Sequence, residues 1–415
     1  MLTPTFTKAI RYFVETICLS PLRTGSTQRD SQTFLKNADD VPFMQGASLA
    51  GAFRDWEDDC ILFGSPSQKS ELIISDLVFE QAAPVMRPRV RINGKTGTAA
   101  LTGKFDVAAL PTDTMGKFQI IWTGNAELED IAPRIEKYLS ALNSGDIILG
   151  ALKSNGFGRV AFTAKRRCYD MTNPSDLEAW LLDDEVTDAQ AISLAPLDSR
   201  YIRFQVQAKM PELLVKSASG DRSIGGSTFT PFQENGAYLV PSSALKGSIR
   251  SHMARICTAL SRDPHELDRL FGCADQKGAN GIAGILRFSD GTMENPKIQT
   301  MSRIRINRLT GGVAQKNLLT SDSVHSTLGF EIRIPADHPA GCALLLYALR
   351  DLGLGLYELG SGTTVGYGRA SWLKITICNH HNTATLYCRD GRAELTDPNE
   401  ITALWHHALK EGDPL

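Results

Sequence analysis

Five short motifs occur twice in this chain, in the same order, and that restricts the fold more than any other feature. Met44–Trp56 (MQGASLAGAFRDW) sets Ser48, Leu49, Gly51 and Arg54 in the relation that Ala244, Leu245, Gly247 and Arg250 keep within Tyr238–His252 (YLVPSSALKGSIRSH). LFG at Leu62–Gly64 recurs at Leu270–Gly272, and ELIISD at Glu71–Asp76 is echoed by GILRFSD at Gly284–Asp290. RVRIN at Arg89–Asn93 returns as RIRIN at Arg303–Asn307, and GALKSNGFGR at Gly150–Arg159 as GSGTTVGYGR at Gly360–Arg369. The offsets are 196, 208, 214, 214 and 210 residues. One match could arise by chance, but five in unbroken order make a duplicated domain.

The hydrophobic pattern reads alike in both copies. A β-rich first strand (Ala9–Ser20; Tyr201–Lys209) precedes a loop and the small-residue helix start. Strands near Ile73–Phe79 and Ile285–Phe288 follow, then the arginine-bearing strands. Each copy next has a polar, glycine- and threonine-rich stretch, Gly94–Lys117 and Arg308–Leu328, read here as a long structureless loop, functional or disordered. A strand (Phe118–Thr123; Gly329–Ile334), an apolar-faced helix (Leu128–Leu142; Pro339–Leu352), the glycine loop and a last strand close each copy. The order β-α-β-β-α-β predicts an α+β protein of two tandem ferredoxin-like units, a frame shared with RNA-recognition domains. The boundaries are 1–167 and 200–380, joined by an acidic connector at 168–199 and followed by an extension at 381–415 with a closing helix over Asp397–Lys410.

The formal net charge of −2 hides unlike segments. Residues 1–167 carry +2, 168–199 carry −8, 200–380 carry +7 and 381–415 carry −3. A basic second lobe fits a polyanionic partner. No apolar run approaches the roughly 20 residues that span a bilayer, so no membrane partner is expected and a cytoplasmic protein is. The eight cysteines form no CxxC pair. Cys378, His380, His381 and Cys388 have zinc-ligand chemistry in an unusual spacing, and no metal is assigned there.

Three features predict phosphate contacts. Ser242 and Ser243 stand where they could cap a helix, with Lys246 and Arg250 two turns in, and Ser48 and Arg54 hold the related places in the first copy. A helix start beside cations attracts anions. Strand period two sets Arg89 with Arg91, and Arg303 with Arg305, on one face. Gly156, Gly158 and Arg159, like Gly366, Gly368 and Arg369, combine backbone freedom with a guanidinium fork. A tight turn explains the glycines of one loop but not an arginine ending both. NGFGRVAF is superficially like the base-stacking motif of RNA-recognition domains, but it precedes the last strand, so that match is rejected.

Taken together, SSALKGSIR, LFG, the FSD strand and GSGTTVGYGR resemble the repeat-associated mysterious protein (RAMP) superfamily, the ferredoxin-like RNA-binding subunits of CRISPR effectors. The chain is most similar to two fused backbone subunits of type III complexes. The resemblance implies CRISPR RNA (crRNA), target RNA and other CRISPR effector subunits as partners. It also implies thumb-like insertions within Gly94–Lys117 and Arg308–Leu328 that interrupt the guide–target duplex, and a role in antiviral defence. It further implies an endoribonuclease acting on target RNA through an aspartate between first strand and first helix, with a divalent cation such as Mg2+. The matching position is Asp30; in the second copy the same count falls near Gly226, with Asp221 the nearest acid. Asp39 and Asp40 are spare acids in the same first-copy loop. Two readings stay open: a backbone subunit that cuts target RNA, and a non-catalytic structural or end-capping subunit that binds crRNA. Processing by an acid–base histidine is disfavoured, since neither the glycine loops nor the first loops carry one, and His252 has no repeat partner.

Overall fold

A computed structural model describes residues 6–25, 33–92, 99–182, 188–217, 226–273 and 281–415. Its contacts divide the chain into two units. The first is Met1–Arg89, Phe105–Lys153 and Phe157–Ser199; the second is Val90–Lys104, Ser154–Gly156 and Arg200–Leu415.

In the first unit, β1 (Lys8–Cys18) is followed by α1 (Gly46–Trp56), β2 (Leu72–Ile74) and β3 (Leu77–Phe79). A two-stranded arm of β4 (Val85–Ile92) and β5 (Ala99–Ala109) comes next, then β6 (Met115–Gly124), α2 (Leu128–Ser144), β7 (Val160–Asp170) and α3 (Pro174–Leu181). The main sheet runs β3-β6-β1-β7, with β2 also on β6. That is the 2-3-1-4 order of a split βαβ unit, as the element order predicts. Alternation along β1 sends Ile10, Tyr12 and Val14 to the buried face, where Leu49 and Phe53 of α1 and Ile135, Leu139 and Leu142 of α2 join one core. Each fully buried large apolar side chain of this kind contributes about 1.5–3 kcal/mol. Gly145 ends α2 in the left-handed region, its N–H bonded to the Leu142 carbonyl (3.2 Å). The connector joins this unit: Tyr169 and Met171 form a small cluster with Ala9, and Trp180 of α3 packs against it.

The second unit repeats the plan. β8 (Tyr201–Leu213), β9 (Ala237–Val240), α4 (Ser242–Ala259) and β10 (Arg287–Phe288) lead to the long hairpin of β11 (Gly291–Ile306) and β12 (Val313–Pro335). α5 (Pro339–Gly353), β13 (Trp372–Asn379), β14 (Asn382–Arg389), β15 (Arg392–Thr396) and α6 (Ile401–Glu411) complete it. β12 lies beside β8, β8 beside β13, and β10 pairs with β12, giving the same split βαβ order. β14 and β15 extend the sheet past β13, and α6 stacks on α5, with His406 over Tyr347 at 5.3 Å. This cover explains why PAGCALLLYALRDLG is apolar nearly all round: a helix packed on two sides has little wet face. Asp397 starts α6 by accepting from the Ile401 and Thr402 amides (2.9 and 2.7 Å), which helps hold its carboxyl below the usual range against the opposing effect of partial burial.

The two polar stretches are not structureless. Residues 99–109 are strand β5, and β11 and β12 pair from Thr292↔Gly329 out to Ile306↔Val313, with the turn Asn307–Gly312 at the tip. Part of Gly94–Lys117 also lies in the core. Val107, Ala108, Ala109 and Leu110 are buried, and Leu110 exchanges backbone bonds with Leu22 (2.8 and 3.0 Å).

Candidate nucleic-acid interface

Both glycine loops adopt one geometry. Gly158 has φ +86° and Gly368 φ +83°, and a Cβ at either would lie 1.8 or 1.9 Å from the Leu149 or Leu359 carbonyl. The Leu149 N–H donates to Gly158 and the Leu359 N–H to Gly368, each at 2.9 Å. Gly150 and Gly360 press on the Arg23 and Leu214 carbonyls in the same way. What approaches these glycines is therefore the chain's own backbone, from the start of the same loop at Gly158 and Gly368 and from the exit of the first strand at Gly150 and Gly360, not a ligand. Gly366 (φ +97°) alone among the four predicted loop glycines would leave a Cβ in open space, whereas Gly156 (φ +77°) backs onto Ser242 and the Phe288 carbonyl. The loop aromatics Phe157 and Tyr367 are 2 % and 1 % exposed, so neither can stack on a base.

The buried aromatics instead carry arginines. Arg87 lies over the Phe157 ring at 5.5 Å, and Arg303 over the Tyr367 ring at 4.5 Å. Tyr367 is fixed by a 2.9 Å hydrogen bond between its hydroxyl and Ser321. In the first copy Arg87, Arg89 and Arg91 grade from buried through half-buried to exposed along β4, on the one face that strand alternation gives them. Arg23, held at the loop-packed exit of β1, donates to the Ala108 carbonyl at 2.8 Å. Burial first, and then the charges of Arg87 and Arg23, hold the Arg89 guanidinium below its ordinary pKa. Its Nη2 is buried with no hydrogen-bond partner among the described residues. A buried charged donor left unpaired beside like charges is a standing demand for an anion. Arg305 is exposed on β11, two residues beyond Arg303. Arg87 and Arg23 were not among the predicted residues, although Arg87 continues the period-two spacing of Arg89 and Arg91.

The helix starts depart from expectation. Pro241, not a serine, occupies the cap of α4, and no side chain of that residue bonds the helix. Ser242 is the first helical residue; its N–H donates to Asp290 Oδ1 at 2.8 Å, and its hydroxyl donates to the Asn155 carbonyl. In α1 the Gly46 N–H donates to Asp76 Oδ1, also at 2.8 Å. The repeated Ser-Asp pair thus has one task in both copies. The aspartate caps the helix, while the Ser75 and Ser289 hydroxyls accept from Gln119 and Glu331 (2.8 Å each) on the neighbouring strand. A carboxylate already sits at each helix start, so the phosphate seat predicted there is filled by the protein itself. The cations behind it are engaged too. Arg250 donates to the Gly272 carbonyl (2.7 Å) and pairs with Asp268 (2.5 Å), Arg54 pairs with Asp58 (2.8 Å), and Lys246 donates to Ser154 Oγ (2.9 Å). Ser48 is exposed on α1 and Ser243 half-buried on α4.

Arg159 is tied through its backbone, its N–H donating to Ser20 Oγ (3.0 Å) and its carbonyl accepting from Leu19 (2.8 Å). Arg369 is exposed, its guanidinium lying where a Cβ on Gly355 would come within 2.5 Å. Asp30 and Asp221 lie outside the described residues. Of the spare acids, Asp40 is paired with Lys36 at 2.9 Å. His252 is core: it bonds Asp351 (2.9 Å) and stacks on Tyr357 at 4.1 Å. Burial alone would raise the Asp351 carboxyl, but hydrogen bonds from His252 and Arg350 outweigh it and hold it down. The strand pairing sends Cys378 and Cys388 to opposite faces of the sheet. Among the described residues no group of three or more His, Cys, Asp or Glu side chains could hold a metal ion.

Fold and site together define a class: tandem ferredoxin-like domains, each presenting an arginine strand braced on the aromatic of a glycine loop. A family model, the RAMP superfamily, matches residues 17–161 and 224–371. The chain belongs to this superfamily of RNA-binding proteins associated with CRISPR effectors. No curated protein matches it. No helix among the described residues is long and apolar enough to cross a membrane.

Proposed function

We propose that this chain is a tandem backbone subunit of a type III CRISPR effector, holding crRNA along the arginine strands and presenting complementary target RNA for cutting. The observation that carries the reading is the recurrence of one device in both copies: an arginine of the arm lying over the buried aromatic of the glycine loop. Such bracing fixes a guanidinium whose neighbours, Arg89 and Arg91 in one copy and Arg305 in the other, lie less buried on the same face. Three alternate arginines on β4 span about 13 Å at strand rise, the length of roughly two phosphate spacings. The arms project the two-stranded hairpins that, in this reading, interrupt the guide–target duplex.

Cutting is assigned to Asp30. Its carboxylate can accept the proton of a target 2′-hydroxyl, whose oxygen then attacks the adjacent phosphorus and expels the 5′-oxygen of the next nucleotide. When bound, a divalent cation such as Mg2+ neutralises charge on that phosphate. Among the described residues no group of three or more His, Cys, Asp or Glu side chains could hold that ion. The test is a labelled target RNA with the assembled complex and added magnesium, comparing wild type with Asp30→Asn and Asp221→Asn. Loss of a positioned base costs about a hundred- to ten-thousand-fold in rate, so Asp30→Asn should abolish one cut while target binding persists. Asp221→Asn should leave the cuts unchanged if the second copy is inert. Unaltered cutting by Asp30→Asn refutes the assignment, and no cutting by wild type favours a structural crRNA-binding subunit.

A further inference from the structure

The face of the second unit's sheet turned away from its helices carries a feature that the reading above does not use. Strand register places Trp372 opposite Arg389, Lys374 opposite Tyr387, and Tyr387 opposite Glu394. Lys209 lies opposite Trp372 on the other side. Directly paired residues share a face, and the intervening Leu373, Ile375, Leu386 and Cys388 are buried in the core, so this row points outward. Trp372 and Tyr387 stack with centroids 6.1 Å apart and planes at 28°, forming one aromatic platform across two strands. Tyr387 is 37 % exposed, and Lys374, Arg389 and Arg392 are exposed around it. The opposing acids are Glu394 and Asp390, the latter paired with Arg389 at 3.3 Å. Elsewhere on this face Gln205 and Gln207 of β8 are exposed and polar.

We infer that this face binds single-stranded nucleic acid, with one or two bases on the Trp372–Tyr387 platform and the backbone beside Lys209, Lys374 and Arg392. Two arguments select that occupant. Stacked aromatics on adjacent strands of an open sheet face, here β13 and the added strand β14, can receive successive bases, whose faces a duplex hides. The surrounding charge is predominantly positive and the rest of the row polar, whereas a protein partner would need a wider apolar centre. The platform is separate from the family's shared region, because Trp372 and everything after it lie beyond the matched residues 224–371. It does not rest on the proposed function, for the arginine strands and glycine loops contribute nothing to it.

The experiment uses the full chain with 5-iodouridine-substituted 12-nucleotide RNA, the equivalent 5-iododeoxyuridine DNA, and a 12-base-pair duplex. Photocrosslinks are mapped by mass spectrometry and affinities read by anisotropy of labelled versions across a salt series. Crosslinks to peptides containing Trp372 or Tyr387 are expected with the single strands and not with the duplex. Comparing RNA with DNA decides which single strand the face prefers. Loss of one base stack costs about 1–3 kcal/mol, so Tyr387→Ala should weaken the site-specific crosslink roughly 5- to 150-fold. Lys374→Ala and Arg392→Ala should each lower the salt slope by about 0.7. Because Tyr387, Lys374 and Arg392 are exposed, thermal unfolding should match wild type, which separates lost binding from lost fold. Crosslinks confined to residues 85–92, or a Tyr387→Ala protein that crosslinks as wild type does, would overturn the inference. So would duplex binding equal to single-strand binding.

Discussion

Replacing Arg89 with methionine should separate folding from binding by moving them in opposite directions. Arginine is charged in both folded and unfolded chains at neutral pH, and a folded-state pKa held down by burial, Arg87 and Arg23 means the fold disfavours that charge. The charged side chain therefore opposes folding at every pH below its folded pKa, and removing it is stabilising. An unpaired buried donor such as its Nη2 costs about 1–3 kcal/mol, and methionine retains most of the apolar stem. With some packing lost, the net gain should be about 1 kcal/mol, or roughly 2–4 °C in Tm for a unit of this size. RNA binding should fall instead. One charge-assisted hydrogen bond is worth about 1.5–3 kcal/mol, so affinity should drop roughly 10- to 150-fold, with the salt slope shallower by about 0.7. Scanning calorimetry and anisotropy on the same RNA-free preparation read both quantities. Arg87→Met is the control of opposite sign, because it removes a 4 % exposed guanidinium from the Phe157 ring and should destabilise. An Arg89→Met protein that is less stable than wild type, or binds RNA equally well, refutes the reasoning.

Asp76→Ala and Asp290→Ala should each lower unfolding free energy by about 1 kcal/mol through loss of a helix cap, measured by urea titration. Gly158→Ala and Gly368→Ala should be far worse, at least about 3 kcal/mol, because a Cβ 1.8–1.9 Å from a carbonyl forces the loop open; little soluble folded protein is the expected readout. Asp351, whose carboxyl the His252 and Arg350 hydrogen bonds hold below the usual carboxylate range despite burial, supplies stability that is present above the unfolded value and is lost as pH falls through the folded one. Asp351→Asn should therefore flatten the acid limb of a Tm–pH profile below about pH 4 and cost about 1–3 kcal/mol at pH 7.

Much of this architecture was legible in the sequence, because duplication let each copy check the other. The first strands, both helix pairs and the glycine loops fall where the repeated pattern puts them, and the Arg303–Tyr367 contact joins two of its motifs. The helix caps were misread for a physical reason. Local reasoning offers Ser242 and Ser243, whereas the true cap, Asp290, arrives 48 residues later from another strand. Its signal was the Ser-Asp pair shared by both copies. Arg87 was missed because its counterpart is Met301, so a search for shared residues passes over it. The second arm reads as a loop because β11 is exposed on both faces and the buried positions of β12 include Ser321, Ser323 and Ser326, so little apolar alternation announces either strand.

The central claim is that both arginine strands hold RNA, and the most direct measurement is ultraviolet crosslinking of whatever RNA co-purifies with the chain in its complex. The account predicts RNA of defined length, with crosslinked peptides from Val85–Ile92 and from Gly291–Ile306, and loss of both signals when Arg89 and Arg303 are replaced together. A chain that carries no RNA, or RNA whose crosslinks avoid both strands and survive that double replacement, would contradict it.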